Sequence, residues 1–447
     1  MTGAVPGWVH DVIWWQVYPL GFVGAEREAT PVLTHRLGHL ERWLDYAVEL
    51  GTNGLALGPV FASETHGYDT VDHFRVDPRL GDDADFDALV AAAHSRGMRV
   101  LLDGVFNHVG RGHPAFQEVL RDGPDASTAS WFRLDWAPDA KPGDEPGYAD
   151  FEGHHALVAL NHDEPAVADY VARVMLHWLE RGADGWRLDA AYAVPPHFWR
   201  PVLERVRAAY PEVYVVGEVI HGDYAQTVTE SGLDAVTQYE LWKAVPNSLN
   251  TVNFFELAWT LKRHNGFLDT FAPLTFLGNH DVTRIASALT DIRHLPLALA
   301  VLLTVGGTPT IYYGDEQAYR GVKQERMGGD DDVRPLFPDD PSQLSALGAD
   351  TFRLHEELIG LRRRHRWLHE ARTREVHLTN EQLTYVSELG DQRLVVALNL
   401  GSTPVDQPAP YASQVLAGSA ILSGSGESTT ARVAAPGFAI LDVAAPA

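Results

Sequence analysis

Residues 184–191 read DGWRLDAA, and they carry the pattern on which the predicted fold depends. A short apolar run ends there at the carboxylate of Asp189, and Arg187 lies two residues before it. Side chains two residues apart point to the same face of a strand, so Arg187 and Asp189 are expected side by side. Residues 213–218, VYVVGE, repeat the pattern and end at Glu218. Apolar runs that end in a carboxylate favour buried parallel strands with polar side chains at their carboxyl ends.

Similar strands alternate with amphipathic helical patterns over the first 370 residues. We predict strands at Ile13–Tyr18, Gly54–Leu57, Arg99–Gly104, Gly185–Asp189, Val213–Glu218, Ala235–Gln238, Leu274–Leu277 and Thr310–Tyr312. Eight strands with this alternation indicate an α/β fold, the (β/α)₈ TIM barrel.

Two regions depart from the alternation. Residues 109–165 are rich in Gly, Pro, Asp and aromatic residues and are too long for a simple barrel loop, so they predict an inserted subdomain after the third strand. After about residue 370, short alternating strands punctuated by Gly, Ser and Pro predict a C-terminal antiparallel β-sandwich. The predicted division is therefore 1–108 and 166–370 for the two parts of the catalytic barrel, 109–165 for the inserted B domain and 371–447 for the sandwich.

Charge and composition exclude several functions. The chain has 60 acidic against 35 basic residues, a formal net charge of −25, which disfavours nucleic acid and anionic membrane surfaces as partners. It contains no cysteine, so disulfides, thiol nucleophiles and thiolate metal sites are excluded. No stretch of eighteen apolar residues and no signal-peptide pattern occurs, so we expect a cytoplasmic protein.

Polar side chains end nearly every predicted barrel strand. The third strand is followed by Asp103 and His108, and the seventh by His280 and Asp281. A single acid at such a position is often only a helix N-cap. Three or more carboxylates, an Arg and two His at one barrel face are hard to explain by capping, because gathering them is unfavourable without a function.

Paired carboxylates beside an Arg favour glycosyl transfer. Retaining hydrolysis needs one ionised carboxylate as nucleophile and one protonated carboxyl as acid. We expect Arg187 to hold the pKa of Asp189 down, while neighbouring acids and partial burial favour the protonated form of Glu218.

These segments resemble the α-amylase family (glycoside hydrolase family 13). The four ordered matches to its signature regions are DGVFNH at Asp103–His108, GWRLDA at Gly185–Ala190, GEV at Gly217–Val219 and NHD at Asn279–Asp281. Two auxiliary matches are HGYDT at His66–Thr70 and GGTPTIYYGDE at Gly306–Glu316. The order and number of these matches make the resemblance specific.

The resemblance implies a role for each site residue. Asp189 would be the nucleophile, Glu218 the general acid/base and Asp281 the third carboxylate, which binds sugar hydroxyls and favours the distorted transition state. The substrate-binding residues implied are Tyr68, Asp69, His108, Arg187, His280 and Arg334. Among them, Tyr68 would stack on the sugar, His108 and His280 would hydrogen-bond it, and Asp69 would pair with Arg334.

The closest part of the family is the cyclomaltodextrinase, neopullulanase and maltogenic amylase group. Residues 156–163, ALVALNHD, resemble its MPKLN signature, although VAL replaces PKL. Ala190 after the nucleophile goes with α-1,4 cleavage in this family, whereas Ala193 stands where many members have His or Lys. The implied substrate is a short, cyclic or branched malto-oligosaccharide, with a cyclic maltosyl oligosaccharide as one narrow option. Six loop aromatics are further candidate sugar contacts: Trp131, Phe132, Trp136, Tyr192, Tyr239 and Trp242.

The resemblance also bears on partners and cofactors. The group usually carries an N-terminal β-domain that builds its dimer, but here the barrel is expected to begin near Trp8, so a homodimer would need another contact. Asn107 is a ligand in calcium-dependent members, but Ala193 replaces the His that supplies a second ligand, and residues 19–28 lack an acidic calcium-binding pattern. We therefore expect no required cofactor and no metal.

Three alternatives stay open. A transglycosylase or isomerase would use the same catalytic residues and exclude water as acceptor. A non-catalytic amylase-like accessory subunit would be expected to lose the triad or carry a membrane anchor, and neither feature occurs in this sequence. A barrel hydrolase with metal-activated water would need a clustered His/Asp metal set.

Overall fold

The computed structural model describes residues 5–326 and 328–443, and its centre is a parallel sheet of eight strands. The strands are β1 Trp14–Val17, β2 Gly54–Leu57, β3 Arg99–Gly104, β4 Gly185–Leu188, β5 Tyr214–Gly217, β6 Ala235–Val236, β7 Leu274–Phe276 and β8 Thr308–Tyr312. This confirms the predicted α/β barrel.

The strands follow one another around the barrel in the order β6-β5-β4-β3-β2-β1-β8-β7. One parallel bridge between Thr237 and Leu274 joins the two ends of that order. The sixth strand ends two residues earlier than predicted because Gln238 caps the next helix: its side chain accepts hydrogen bonds from the backbone N–H groups of Glu240 and Leu241. The seventh strand is one residue shorter than predicted, and the eighth begins two residues earlier. Every residue of β2, β4, β5, β7 and β8 is buried, as parallel strands covered by helices require.

Helices surround the sheet and connect its strands. Their bounds are Pro19–Phe22, Leu37–Glu41, Leu44–Leu50, Asp83–Ser95, Pro114–Asp122, Pro165–Glu180, Pro196–Ala209, Tyr224–Ser231, Tyr239–Asn250, Phe255–Phe267, Ile285–Ala288, Leu295–Thr304 and Ala349–Arg364. Within the described residues, no helix combines the length and the apolar character needed to cross a membrane.

The segment between β3 and the helix Pro165–Glu180 contains a small antiparallel sheet. Its strands are His108–Gly110, Asp150–Phe151 and His154–Ala159, and the last of these pairs with both others. A tight turn at Glu152 and Gly153, both with positive φ, joins the last two strands. The first strand of this sheet begins at His108, four residues after the end of β3, which carries Asp103.

The C-terminal part is antiparallel. A five-stranded sheet contains Arg372–Leu378, Gln382–Leu389, Gln392–Asn399, Ala412–Gly418 and Gly437–Val443, and a three-stranded sheet contains Val405–Pro408, Ala420–Ser423 and Thr430–Val433. A separate apolar cluster lies between the two sheets and includes Val395, Ala431 and Leu441. The antiparallel part of the prediction is confirmed. The domain bounds stay predictions, and residues 1–4 and 444–447 of the outer two ranges lie outside the described residues.

Candidate active site

The guanidinium of Arg187 is the centre of the candidate site. Its Nη1 donates to both carboxylate oxygens of Asp103, at 2.7 and 2.8 Å, and to Oδ1 of Asp189 at 3.0 Å. Its Nη2 lies 2.8 Å from Oε1 of Glu218. All four residues are buried, with Asp189 and Glu218 each 7% exposed. One cation therefore connects three carboxyl groups from three neighbouring strands.

The strand register explains this convergence. Arg187 in β4 is the direct neighbour of Asp103 in β3, so their side chains point to the same side of the sheet. Hydrogen bonds then continue past the ends of the strands: the N–H of Asp189 donates to Gly104, and the N–H of Glu218 donates to Leu188. Asp189 and Glu218 thus emerge at the carboxyl edge of the barrel, where barrel enzymes place their active sites.

Both carboxylate oxygens of Glu218 accept hydrogen bonds. Oε2 accepts from the N–H of Ala190 at 3.1 Å, and Oε1 accepts from the hydroxyl of Tyr239 at 2.9 Å. Ala190 reaches Glu218 because its backbone is left-handed, with φ of 45° and ψ of 38°. Such a conformation is unfavourable for a residue with a Cβ and is typical of functional sites. In the described part of the chain, Oδ2 of Asp189 has no hydrogen-bond donor, so that oxygen is available to a substrate.

The third carboxylate, Asp281, is held by two basic side chains. Its Oδ1 accepts from Arg334 Nη2 at 2.8 Å, and its Oδ2 lies 2.8 Å from Nε2 of His280. The ring of His280 is stacked 5.3 Å from that of Tyr68, and Nε2 of His280 also contacts the Tyr68 hydroxyl. The Tyr68 hydroxyl donates to Asp103 at 3.1 Å, which joins this group to the Arg187 cluster.

The electrostatics differ between the carboxyl groups. Burial raises the pKa of Asp189, Arg187 opposes that shift, and Glu218 and Asp103 add to it. The expectation that Arg187 holds the pKa of Asp189 down is therefore wrong for the net shift, because burial outweighs the single shared cation. At Asp281, burial also acts to raise the pKa, but His280, Arg334 and Arg187 together hold it well below its ordinary value.

Two of the predicted substrate-binding residues, Asp69 and His108, have partners that the sequence did not predict. Asp69 accepts hydrogen bonds from the backbone N–H and the hydroxyl of Thr65, at 3.0 and 2.6 Å, so its predicted pairing with Arg334 is wrong. Both ring nitrogens of His108 are occupied, one by the carbonyl of Tyr68 at 3.0 Å and one by the side-chain amide of Asn107 at 3.1 Å. Burial lowers the pKa of His108 to about 4, so its ring is neutral near pH 7.

The sequence did not single out Tyr18 or the role of Asn279. The ring of Tyr18 is stacked 6.1 Å from His280, and the Arg334 guanidinium lies 4.5 Å from its centroid. Asn279 donates to the hydroxyl of Tyr239 at 3.0 Å and accepts from the N–H of Asp281 at 2.8 Å. The position of Asn279 beside His280 was a usable signal, whereas nothing in the sequence around Tyr18 indicated its contact.

The side-chain amide nitrogen of Asn107 lies 3.1 Å from Nδ1 of His108. The one group of three potential metal ligands among the described residues is His35, Asp82 and Asp85. Asp82 and Asp85 form the capping box of the helix Asp83–Ser95, which accounts for their proximity. That no cofactor is required stays a prediction.

A closed parallel barrel with paired carboxylates at the ends of its fourth and fifth strands defines a class, the barrel glycosidases that use two carboxyl groups. A family model described as "Alpha amylase, catalytic domain" matches residues 16–353. The chain belongs to the α-amylase family, and it is a glycoside hydrolase.

Individual relatives extend this result. A cyclomaltodextrinase of Geobacillus thermopakistaniensis is 30% identical over 431 residues, which cover 91% of this chain and 71% of that protein. The native form of the debranching enzyme of Nostoc punctiforme matches 99% of this chain and 100% of that chain, with a TM-score of 0.85 and 27% identity. The ligand-free cyclic α-maltosyl-(1→6)-maltose hydrolase of Arthrobacter globiformis matches 98% of this chain and 100% of that chain, with a TM-score of 0.81 and 25% identity.

Proposed function

We propose that the chain hydrolyses α-1,4-glucosidic bonds in short, cyclic or branched malto-oligosaccharides with retention of the anomeric configuration. The observation that carries the proposal is the contact of one guanidinium, that of Arg187, with both Asp189 and Glu218. It places the two carboxyl groups close together, and retaining enzymes separate theirs by roughly 5–5.5 Å, whereas inverting enzymes leave room for a water molecule.

In the first step, Oδ2 of Asp189 attacks the anomeric carbon. The bond from that carbon to the glycosidic oxygen breaks, and the leaving oxygen takes a proton from Glu218. In the second step, water attacks the same carbon, the bond to Asp189 breaks and Glu218 recovers a proton. Asp281 binds hydroxyls of the sugar whose bond is cleaved, and it favours the positively charged transition state.

The charges of the site indicate that its cluster of carboxyl groups keeps one proton. Four carboxyl groups, those of Asp103, Asp189, Glu218 and Asp281, face only two guanidinium groups, those of Arg187 and Arg334. At low exposure, four negative charges against two positive ones are unfavourable, so one carboxyl proton is shared by the cluster. The first step uses that proton on Glu218 and transfers it to the departing sugar, so Glu218 is a carboxylate in the glycosyl-enzyme and can take a proton from the attacking water.

The substrate class rests on similarity. The relatives named cyclomaltodextrinase and cyclic α-maltosyl-(1→6)-maltose hydrolase support short or cyclic malto-oligosaccharides. Ala190 supports the α-1,4 linkage by its position after the nucleophile. We further propose a cytoplasmic location, which the absence of cysteine fits, with no nucleic acid and no membrane partner. A homodimer and independence from metal are part of the same proposal.

A product screen tests this function. The purified chain is incubated with maltotriose, panose, pullulan, cyclomaltodextrins and cyclic maltosyl tetrasaccharide, and the anomer formed first is read by proton NMR. We expect α-anomeric products from at least one of the small or cyclic sugars, and unchanged rates with added chelator. A β-anomeric first product, or no turnover of any of these sugars, would contradict the proposal. Products longer than the substrate would instead favour the transglycosylase alternative.

A further inference from the structure

The hairpin tip of the inserted segment has an unusual residue in its turn. Glu152 and Gly153 have φ of 52° and 84°. Two consecutive residues with positive φ are typical of a type I′ turn, where Asn, Asp or Gly normally occupies the first position. Glu is unfavourable there, because its Cβ crowds the backbone and its side chain is too long for the local bonds that stabilise Asn or Asp. The turn alone therefore does not explain Glu152.

The side chain of Glu152 makes a long-range contact instead. The hydroxyl of Tyr192 donates a hydrogen bond of 2.8 Å to Oε1 of Glu152, 40 residues away along the chain. The preceding residue, Phe151, stacks on His108 with ring centroids 4.7 Å apart and planes inclined by 18°. The ring of Phe151 is also 6.5 Å from that of Tyr192. The tip thus extends from the end of β3 to the segment after Asp189.

Tyr192 lies on the side of the acid/base residue. Its backbone N–H donates to the carbonyl of Glu218 at 3.2 Å, and its ring is 5.4 Å from that of His221, three residues beyond Glu218. The Asp281 group, with Arg334 and Tyr68, is a different set of residues around the third carboxylate. Since the acid/base residue protonates the departing oxygen, side chains beside it line the part of the cleft where the leaving or accepting sugar lies.

We propose that the hydrogen bond between Glu152 and Tyr192 is a latch that fixes the acceptor side of the cleft and sets how often a sugar, rather than water, accepts the glycosyl group. The proposal rests on the proposed function. In the step concerned, a hydroxyl oxygen of the acceptor attacks the anomeric carbon, the bond from that carbon to Asp189 breaks, and Glu218 takes the hydroxyl proton. With water the product is a free sugar, and with maltose it is a longer oligosaccharide. An aromatic ring held in place orders maltose but not water, so loss of the latch lowers the share of transfer.

The test uses α-maltosyl fluoride as donor, because fluoride needs no sugar site on the acceptor side. Transfer to added maltose and hydrolysis are measured together by chromatography, which gives the transfer-to-hydrolysis ratio. We expect Tyr192→Phe and Glu152→Ala each to lower this ratio about 5- to 10-fold, which is within the range for one hydrogen bond at an exposed position. For Glu152→Ala, the kcat/KM for hydrolysis of the fluoride should stay within about 2-fold of the parent.

Two further variants separate a latch from a general disturbance. Glu152→Gln keeps an oxygen that accepts from Tyr192, so its ratio should stay near that of the parent. Glu145→Ala removes another carboxylate of the same inserted segment, one that pairs with Arg111 at 2.8 Å, and should leave the ratio unchanged. The double variant Tyr192→Phe with Glu152→Ala should equal either single variant, because both remove the same bond.

The outcomes are distinguishable. If the parent chain does not release fluoride from the donor, the proposed function fails. If the parent is active but Tyr192→Phe and Glu152→Ala keep its ratio, or if their effects add, the latch is overturned. A fall in the ratio for Glu152→Gln equal to that for Glu152→Ala would also overturn it, since charge rather than the hydrogen bond would then be responsible. Melting temperatures of all variants check that each one is folded.

Discussion

The two sides of the catalytic cleft are built differently. Around Asp281, the side chains of His280, Arg334 and Tyr68 are nearly inaccessible, and each has several partners. On the other side, Glu152 and His221 are exposed, and one hydrogen bond from Tyr192 joins the inserted hairpin to the barrel. We call these the donor side and the acceptor side of the cleft.

This difference indicates which side of the cleft tolerates substitutions. Removing a residue from the donor side leaves buried charges without partners, which is strongly unfavourable. A change on the acceptor side alters one exposed contact and leaves the barrel intact. Two departures from the family pattern are close in sequence to the Glu152–Tyr192 contact: Ala193 follows Tyr192, and VAL at residues 158–160 lies at the end of the strand that begins after the Glu152 turn. We expect catalysis to depend on the donor side and substrate choice on the acceptor side.

The largest loss of activity is expected from a substitution of Asp189, at the boundary of the donor side and the acceptor side. Asp189→Asn removes the proposed nucleophile and should lower kcat on malto-oligosaccharides by about 10⁴-fold or more, as for other covalent nucleophiles. Binding of the substrate, measured by calorimetry, should be retained. Residual hydrolysis within about 10-fold of the parent would contradict the nucleophile assignment.

Glu218→Gln is the matched control for Asp189→Asn. It should be similarly slow on natural sugars but should retain the first step with α-maltosyl fluoride, since fluoride leaves with little need of a proton. Equal losses on both kinds of substrate would contradict the assignment of Glu218 as the acid.

On the donor side, Arg334→Met should lower kcat/KM about 100-fold or more, because Asp281 loses a buried partner. The variant should also change the pH profile. The pKa of Asp281 is held well below its ordinary value by His280, Arg334 and Arg187, so removing Arg334 raises it. The ionised fraction is then lost at a higher pH as the pH falls, and the acid limb of kcat/KM moves upward. An acid limb at the parent's position would show that Asp281 does not control it. Arg334→Lys, which keeps the charge, should restore most of that limb.

The sequence predicted the residues close to strand ends well, for a physical reason. A carboxylate directly after a buried parallel strand must lie at the carboxyl edge of the barrel. Asp189 and Glu218 lie there. Contacts between distant loops were not predictable in this way. The partner of Arg334 depends on how its loop packs against the segment after β7 that carries His280 and Asp281. The net pKa shift of Asp189 depends on burial, which no motif encodes. The bond from Thr65 to Asp69 is local and could have been anticipated from their four-residue spacing.

Removing one tyrosine hydroxyl from each side of the cleft compares the donor side with the acceptor side directly. Tyr68→Phe removes the bond to Asp103 and the contact with His280 but keeps the stacked ring, so hydrolysis of α-maltosyl fluoride should fall about 10-fold. Tyr192→Phe should leave that rate within about 2-fold, because the one hydrogen-bond partner of its hydroxyl among the described residues is the exposed Glu152. Similar losses for the two variants would contradict the division into a donor and an acceptor side.

The smallest effect is expected from Ala190 and Glu152, two of the five non-glycine residues with positive φ in the described part of the chain, which have φ of 45° and 52°. A residue with a Cβ in this conformation is strained by about 1–2 kcal/mol, and Gly removes that strain while adding about 0.5–1 kcal/mol of unfolded-state entropy. Ala190→Gly should therefore raise the free energy of unfolding by about 0.5 kcal/mol. Glu152→Gly should be near neutral, since losing the bond from Tyr192 offsets the relief of strain. Urea unfolding of both variants measures these changes in the free energy of unfolding.

Ala190→Val serves as the opposite control: a β-branched side chain is poorly tolerated at positive φ, so it should destabilise the chain. If Val were tolerated as well as Gly, Ala190 would not be strained, and its place beside Glu218 would reflect substrate choice alone.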